Sequence, residues 1–292
     1  MSKNSRAVQA LYTTAAGRAV LKVLQVCGAS HLAAAFLHSS LSRPLIRRYI
    51  SRYDIPMEEF EGVRFPSFGA FFARKKKSVQ FDAAPDHLIS PCDGWLSVYP
   101  IEADSFFAIK GSRYRVCDLL QNAGWESRYD GGLCLVIRLC PSDYHHYCYL
   151  DDGYQGENHF IAGQLHSVQP IACETYPVYT LNRRVWTLMQ TDHFGPVVQT
   201  EIGALIVGGI CCEHENVRVQ KGMEMGHFEL AGSTIVLLFE KERVALSPAI
   251  CKEIPNEREI RVTQGMWIGT RYDRKEQRPV PAPENGAGAD VK

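Results

Sequence analysis

Between residues 15 and 45 apolar side chains recur at helical spacing: Val20, Leu21, Leu24, Val26, Leu32, Ala33, Phe36, Leu37 and Leu41. That spacing predicts one or two amphipathic helices. Lys22, His31, His38 and several serines interrupt the run, so it falls short of the roughly 20 apolar residues that a membrane-spanning helix needs. From Leu88 the pattern changes to short apolar or alternating runs separated by Gly, Pro, Asn and Asp. Runs 95–99, 133–139, 164–168, 185–190, 204–210 and 235–239 predict strands, and only 116–124 in this region predicts a helix. The expected fold is α+β and mainly β, a barrel or paired antiparallel sheets preceded by an N-terminal amphipathic helical segment. Three parts follow: a helical segment 1–53, a body 54–272, and a tail 273–292 whose Pro279, Pro281, Pro283 and Gly/Ala ending predict disorder. No internal repeat is visible.

Charge and composition narrow the partners. A chain of 292 residues can bury a substantial core as one large domain or two small ones. Its 32 basic and 32 acidic residues give a formal charge of +0, so no global field draws it to nucleic acid. Attraction to an anionic surface has to be local. Cations gather just after the helical run, at Arg43, Arg47, Arg48 and Arg52, and again at Arg74, Lys75, Lys76 and Lys77. An amphipathic stretch flanked in this way suits lying on a membrane rather than crossing it. The same periodicity also suits an ordinary helix packed on a core. The ten cysteines are scattered with no CxxC pair, and no cleavable signal peptide is evident, which points to free thiols in a reducing interior.

The candidate chemistry centres on Gly232-Ser233-Thr234, a turn placed immediately before the apolar run 235–239. Alone, the tripeptide reads equally as a tight turn in which Gly232 supplies an unusual backbone angle. A strained Gly–Ser bond would instead let the serine hydroxyl reach the preceding carbonyl, since glycine has no side chain to obstruct the attack. The wider sequence decides between them. Ser67-Phe68-Gly69-Ala70-Phe71-Phe72-Ala73-Arg74 contains a Phe-Phe-x-Arg motif, and Ser90-Pro91-Cys92-Asp93-Gly94 a Ser-Pro-x-Asp-Gly motif. Asp143-Tyr144-His145 follows, then Glu201-Ile202-Gly203-Ala204 running to Val207-Gly208-Gly209-Ile210. In this order, over roughly residues 54–270, the chain resembles the phosphatidylserine decarboxylase family, with Gly-Ser-Thr where that family is cleaved.

The resemblance implies a self-cleaving, pyruvoyl-dependent lyase acting on phosphatidylserine. Ser233 attacks the Gly232 carbonyl, the peptide becomes an ester, and elimination followed by hydrolysis leaves a pyruvoyl group derived from Ser233. The body is then a decarboxylase domain, with a beta chain ending at Gly232 and an alpha chain beginning at Ser233. The substrate amine would form a Schiff base with the new carbonyl, lose carbon dioxide and leave as phosphatidylethanolamine. Serine needs a base to take its proton and a carboxylate to orient that base, and the family motifs assign His145 and Asp93 beside Ser233. His145 is also the expected proton donor in decarboxylation. Taken singly, Asp93 before Gly94 suits a turn, and His145 and His146 suit core or surface positions. Many family members carry a second histidine where this chain has Cys148, and a glycine where it has Ala231. The family further suggests a homodimer of two-chain protomers, peripheral on the cytoplasmic face of the cell membrane against anionic lipid.

No metal is expected. Cys211-Cys212 with His214 has poor geometry for a closed site and lacks a second ligand pair. Arg138, Arg183 and Arg184 are candidate anion ligands, although scattered arginines usually lie on surfaces. Two rival functions remain: a soluble pyruvoyl decarboxylase of a free amino acid, which would have no use for the amphipathic segment, and a non-catalytic β module carrying the turn.

Overall fold

The computed structural model describes residues 6–26, 29–61, 64–109, 112–125, 127–204, 209–230, 233–254 and 258–273. An eight-stranded sheet runs in the order Val217–Val219, Gly153–Ile161, Arg184–Thr191, Gly195–Ile202, Ser233–Phe239, Leu133–Leu139, Gly94–Pro100 and Ile260–Val262. Every neighbouring pair is antiparallel. Its two middle strands are covered on both faces. Ile235, Leu237 and Phe239 join Leu135, Ile137 and Leu139 in one core, while Val236 and Leu238 join Cys134 and Val136 in a second. Burial on both faces is why these strands read as continuous apolar runs rather than alternating ones.

The first core is closed by two three-stranded antiparallel sheets. One contains Gly209–Cys212, Glu224–Glu229 and His146–Cys148, and the other His87–Ile89, Trp267–Arg271 and Val244–Leu246. The second core lies under the hairpin Phe106–Ile109 and Ser112–Arg115 and the helices Val116–Leu120, Pro170–Thr175 and Val178–Leu181. The architecture is therefore mainly β with packed antiparallel sheets, none of which closes into a barrel.

Two α-helices, Ala15–Val26 and Ala29–His38, form inside the 15–45 run as expected, flanked by Arg6–Thr13 and Pro44–Tyr53. Arg6–Thr13, Ala29–His38 and Pro44–Tyr53 are docked on the body. Tyr12 is 1% exposed and its hydroxyl accepts from Ser167 N at 2.8 Å. Leu37, Ile46, Tyr49 and Ile50 pack on Phe68, Phe71, Phe72, Tyr144 and Leu230, and Tyr49 Oη donates to Pro141 O at 2.6 Å. Val20, Leu32, Phe36, Leu41 and Leu45 stay exposed. Among the described residues no helix is long and apolar enough to cross a membrane.

Two sequence expectations fail for identifiable reasons. Run 164–168 forms no strand beyond an isolated bridge from Gln164 to Asn182. The Asn182 amide takes both main-chain groups of His166, accepting from its N at 2.9 Å and donating to its O at 2.8 Å, so the ladder is replaced by side-chain bonding. The predicted helix 116–124 is split into Val116–Leu120 and a 3-10 turn at Ala123–Trp125, because Gln121 adopts a positive φ of 49°. Short helices also form at Pro170–Thr175, Val178–Leu181 and Pro248–Cys251, where none was expected. The run 204–210 crosses residues 205–208, and the tail extends beyond Asp273, both outside the described residues.

Candidate functional site

The turn after Leu133–Leu139 fixes the first functional side chain. Asp143 Oδ2 accepts from Cys140 N at 2.6 Å and Oδ1 from Arg261 Nη2 at 2.8 Å, which locks the turn. Arg74, only 2% exposed, reaches the Ser142 and Asp143 carbonyls through Nη2 at 3.5 and 3.4 Å, with its guanidinium over Phe60 and Phe71. The Asp143 carbonyl thereby faces His145 Nδ1 at 2.9 Å. A carbonyl can only accept, so Nδ1 carries the hydrogen and Nε2 holds the lone pair. His145 Nε2 is buried and has no hydrogen-bond partner among the described residues, and the ring packs 4.2 Å from that of Phe72. Burial lowers the His145 pKa to about 3, so the ring is neutral at ordinary pH.

His146 is held differently. Its Nδ1 lies 2.6 Å from Glu224 Oε1 and its Nε2 3.1 Å from Ala73 O, with Tyr144 and His227 stacked on its two faces. Both nitrogens are already engaged. Cys148, at the family's second histidine position, is a buried thiol pushed up to about 12 by desolvation, so it is no base near neutral pH.

Asp93 lies beside this turn without touching the His145 ring. Oδ1 accepts from Gln264 N at 2.8 Å, and Oδ2 from Tyr144 N at 3.4 Å and Lys76 Nζ at 3.3 Å. The carboxylate thus orients the main chain immediately before His145, while the ring itself is oriented by the Asp143 carbonyl. Gly94 is required next to it, since a Cβ there would meet Ile137 Cγ2 at 2.7 Å and Arg138 O at 2.9 Å.

Ser233 opens the strand Ser233–Phe239 and is 1% exposed. It pairs with Leu139, while Trp95 pairs with Arg138, so Ser233 and the Asp93-Gly94 corner flank the same end of Leu133–Leu139. Leu230, three residues earlier, is a buried side chain with a positive φ of 39°. Bulky residues avoid this region, so the backbone approaching the turn is strained. Gly232 itself lies outside the described residues.

Glu201, the first residue of the family-like segment that runs to Ile210, shares the Ser233 face. Ile235 stands directly opposite Glu201, and Ser233, two positions before Ile235, projects to the same side. Ser233 and Glu201 are therefore diagonal neighbours, at a separation of about 7 Å. Glu201 is fully buried; Oε1 accepts from Gln199 Nε2 at 2.7 Å, and Oε2 has no partner among the described residues. Burial raises its pKa to about 7. Its sequence signal was its place in the segment Glu201-Ile202-Gly203-Ala204, which carried the family resemblance without giving Glu201 a role.

This burial sets a pH dependence. A carboxyl with a folded pKa above its unfolded value stabilises the fold at low pH and loses that contribution as pH rises from about 4.5 to about 7. Glu201→Gln should lack this slope. Its stability relative to wild type should rise by roughly 2–4 kcal/mol between acidic and mildly alkaline pH, as read by denaturant unfolding. Parallel pH profiles for the two proteins would contradict the assignment.

The arginines singled out by sequence are mostly structural. Arg138 is bidentate to Glu259 at 3.2 and 2.8 Å. Arg184 is buried and donates to the carbonyls of Leu119, Thr180, Asn182 and Asp118. Arg183 is exposed.

Comparison with known proteins agrees with the motif order. The model of a family described as phosphatidylserine decarboxylase matches residues 68–269. Phosphatidylserine decarboxylase proenzyme 2 of Clostridium acetobutylicum is 38% identical over 267 residues, covering 90% of this chain and 91% of the relative. The phosphatidylserine decarboxylase proenzyme of Ruminiclostridium cellulolyticum is 36% identical over 278 residues, covering 92% and 93%. That of Desulfitobacterium hafniense strain Y51 is 32% identical over 266 residues, covering 87% and 89%.

Proposed function

Since this chain belongs to the phosphatidylserine decarboxylase family, we propose that it converts phosphatidylserine to phosphatidylethanolamine and carbon dioxide at a membrane surface, using a pyruvoyl group made from Ser233. The observation that carries the reading is His145. A neutral imidazole whose buried Nε2 lacks a partner among the described residues can take a proton, against the cost that the same burial sets on charging it, and the family motif and its main-chain tie to Phe228, on the strand leading toward Ser233, support it as the partner for the Ser233 hydroxyl. Asp93 and Arg74 are positioning residues in this reading, because they hold the turn that aims the ring. Ser233 attacks the Gly232 carbonyl once Nε2 has taken its proton, and the strained Leu230 favours departure from the ordinary extended chain.

The residues present fit a small acyl group at position 233. His145 Nε2, Glu201 Oε2 and Gln199 Oε1 are buried polar atoms without partners among the described residues, and such atoms are rare unless something else satisfies them. Once formed, the group supplies a carbonyl that captures the substrate amine and draws off electrons as carbon dioxide leaves. His145 holds and returns protons there.

A groove of about 1130 Å³ supports a phospholipid substrate. Arg43, Arg47, Arg64 and Lys77 line it together with Ile46, Ile50, Phe60 and Phe65, a pairing suited to phosphate beside apolar chain. Phe60 lies 6.0 Å from the Tyr144 ring, so the groove abuts the site. In this reading residues 1–53 form the membrane-associating segment, 54–272 the decarboxylase body, and the chain sits peripherally on the cytoplasmic face.

Carbon dioxide release from phosphatidylserine vesicles, compared with free serine, tests the proposal. Release from vesicles alone is expected, and equal release from free serine would favour the soluble decarboxylase. The exposed Leu32 and Leu41 provide a sharper probe than truncation, which would remove the Tyr12 and Tyr49 anchors. Leu32→Glu with Leu41→Glu should reduce vesicle flotation and vesicle activity at least about tenfold while chain cleavage is unchanged. Unaltered flotation would remove the N-terminal segment from membrane attachment.

A further inference from the structure

The sheet beside the candidate site carries a second cluster that neither the motifs nor the proposed reaction uses. Cys211 on Gly209–Cys212 stands directly opposite His227 on Glu224–Glu229. Glu229, two residues further along, faces the same side. Its cross-strand partner is Gly209, where a Cβ would come within 2.6 Å of the Glu229 carboxylate. The missing side chain gives the carboxylate room to lean toward Cys211. As a result Cys211 Sγ, a ring nitrogen of His227 and a carboxylate oxygen of Glu229 lie within 4.8 Å of one another. All three residues are half-buried. His227 Nδ1 is buried without a hydrogen-bond partner among the described residues, and Glu213 Oε1 stands 3.6 Å from it.

We propose that Cys211, His227 and Glu229 form a binding site for a zinc-class divalent cation, with Glu213 or water completing the shell. Thiolate, imidazole and carboxylate together are the donor set of tetrahedral zinc, whereas magnesium and calcium favour oxygen alone. Metal–ligand bonds of about 2.0–2.3 Å place one sulfur and two nitrogen or oxygen ligands of a tetrahedron roughly 3.3–3.6 Å apart. Side-chain movements of about 1 Å therefore close the present arrangement around an ion. A neighbouring combination, His146 with Glu224 and His227, is already closed: both His146 nitrogens are engaged, and Glu224 also binds Lys75 at 2.5 Å. The sequence-adjacent set Cys211, Cys212 and His214 is excluded by the pleat, because Cys212 turns to the opposite face against Tyr147 and Glu201. An ion at the proposed site ties two strands together just ahead of the segment leading to Ser233.

Cobalt(II) titration of the purified full-length protein, under a phosphine reductant, tests this directly. Wild type should develop thiolate-to-cobalt charge-transfer absorption and intense tetrahedral visible bands at a single equivalent, displaced by zinc and not by magnesium. Cys211→Ser should abolish the charge-transfer band, and both it and His227→Gln should weaken zinc binding by more than about 100-fold, beyond the usual cost of losing an outer-shell partner. Cys212→Ser should change neither. Absence of the band in wild type, its survival in Cys211→Ser, or its loss in Cys212→Ser each overturns the site. The wild-type titration decides the matter even if a variant folds poorly.

Discussion

Ser233→Ala should remain one chain and lose decarboxylation by at least about 10⁴-fold, because alanine offers no oxygen to attack the Gly232 carbonyl. Wild type should instead mature into two pieces. Dividing 32.8 kDa in proportion to residues 1–232 and 233–292 gives roughly 26 and 7 kDa, the smaller blocked at its N-terminus, if serine-driven cleavage takes place. Ser233→Cys should cleave slowly, since a thiol can perform the acyl shift. Intact-mass analysis separates the outcomes, and a fully active wild-type chain that stays whole would refute self-cleavage. The positive φ of the buried Leu230 argues against a merely decorative turn, because it carries a stability cost that an ordinary turn has no need to bear.

The second large effect falls on His145. His145→Ala should slow chain cleavage by about 10²–10⁴-fold, the usual worth of a positioned base, while His146→Ala should slow it less than about tenfold. The difference comes from geometry. His145 keeps Nε2 free among the described residues, whereas His146 has both nitrogens committed to Glu224 and Ala73. Added imidazole should partly restore His145→Ala, a response that loss of packing against Phe72 would not give. Equal damage from both substitutions with matched melting temperatures would remove His145 from the proton transfer. Cleavage and vesicle turnover need separate assays, since one ring serves both steps in the proposed reaction.

The chain shows why some features were legible in sequence. Run 133–139 was bounded correctly and run 235–239 to within two residues, because burial on both sheet faces leaves an uninterrupted apolar signal. Gly153–Ile161, the longest strand among the described residues, was missed. Its pairing is carried by main-chain bonds to Arg184–Thr191, while Gln155, Glu157, Asn158 and His159 hide the apolar pattern. The N-terminal run announced helices and their exposed apolar residues, yet nothing local indicated that Tyr12 would be buried against Ser167 or that Tyr49 would reach Pro141.

At the candidate site the division is similar. The sequence by itself determined the family, the order of the motifs and the identity of Asp93, His145 and Ser233 as the side chains to examine, because those are matters of residue type and spacing. Only the tertiary structure decided which nitrogen of His145 holds the lone pair, that Asp93 grips the Tyr144 main chain rather than the imidazole, and that Glu201 shares the face of Ser233. It also exchanged the sequence-adjacent Cys212 and His214 for His227 and Glu229 as companions of Cys211. Tautomer, protonation and ligand geometry depend on groups brought together from distant positions and on the removal of water around them, and neither is written in the local order of residues.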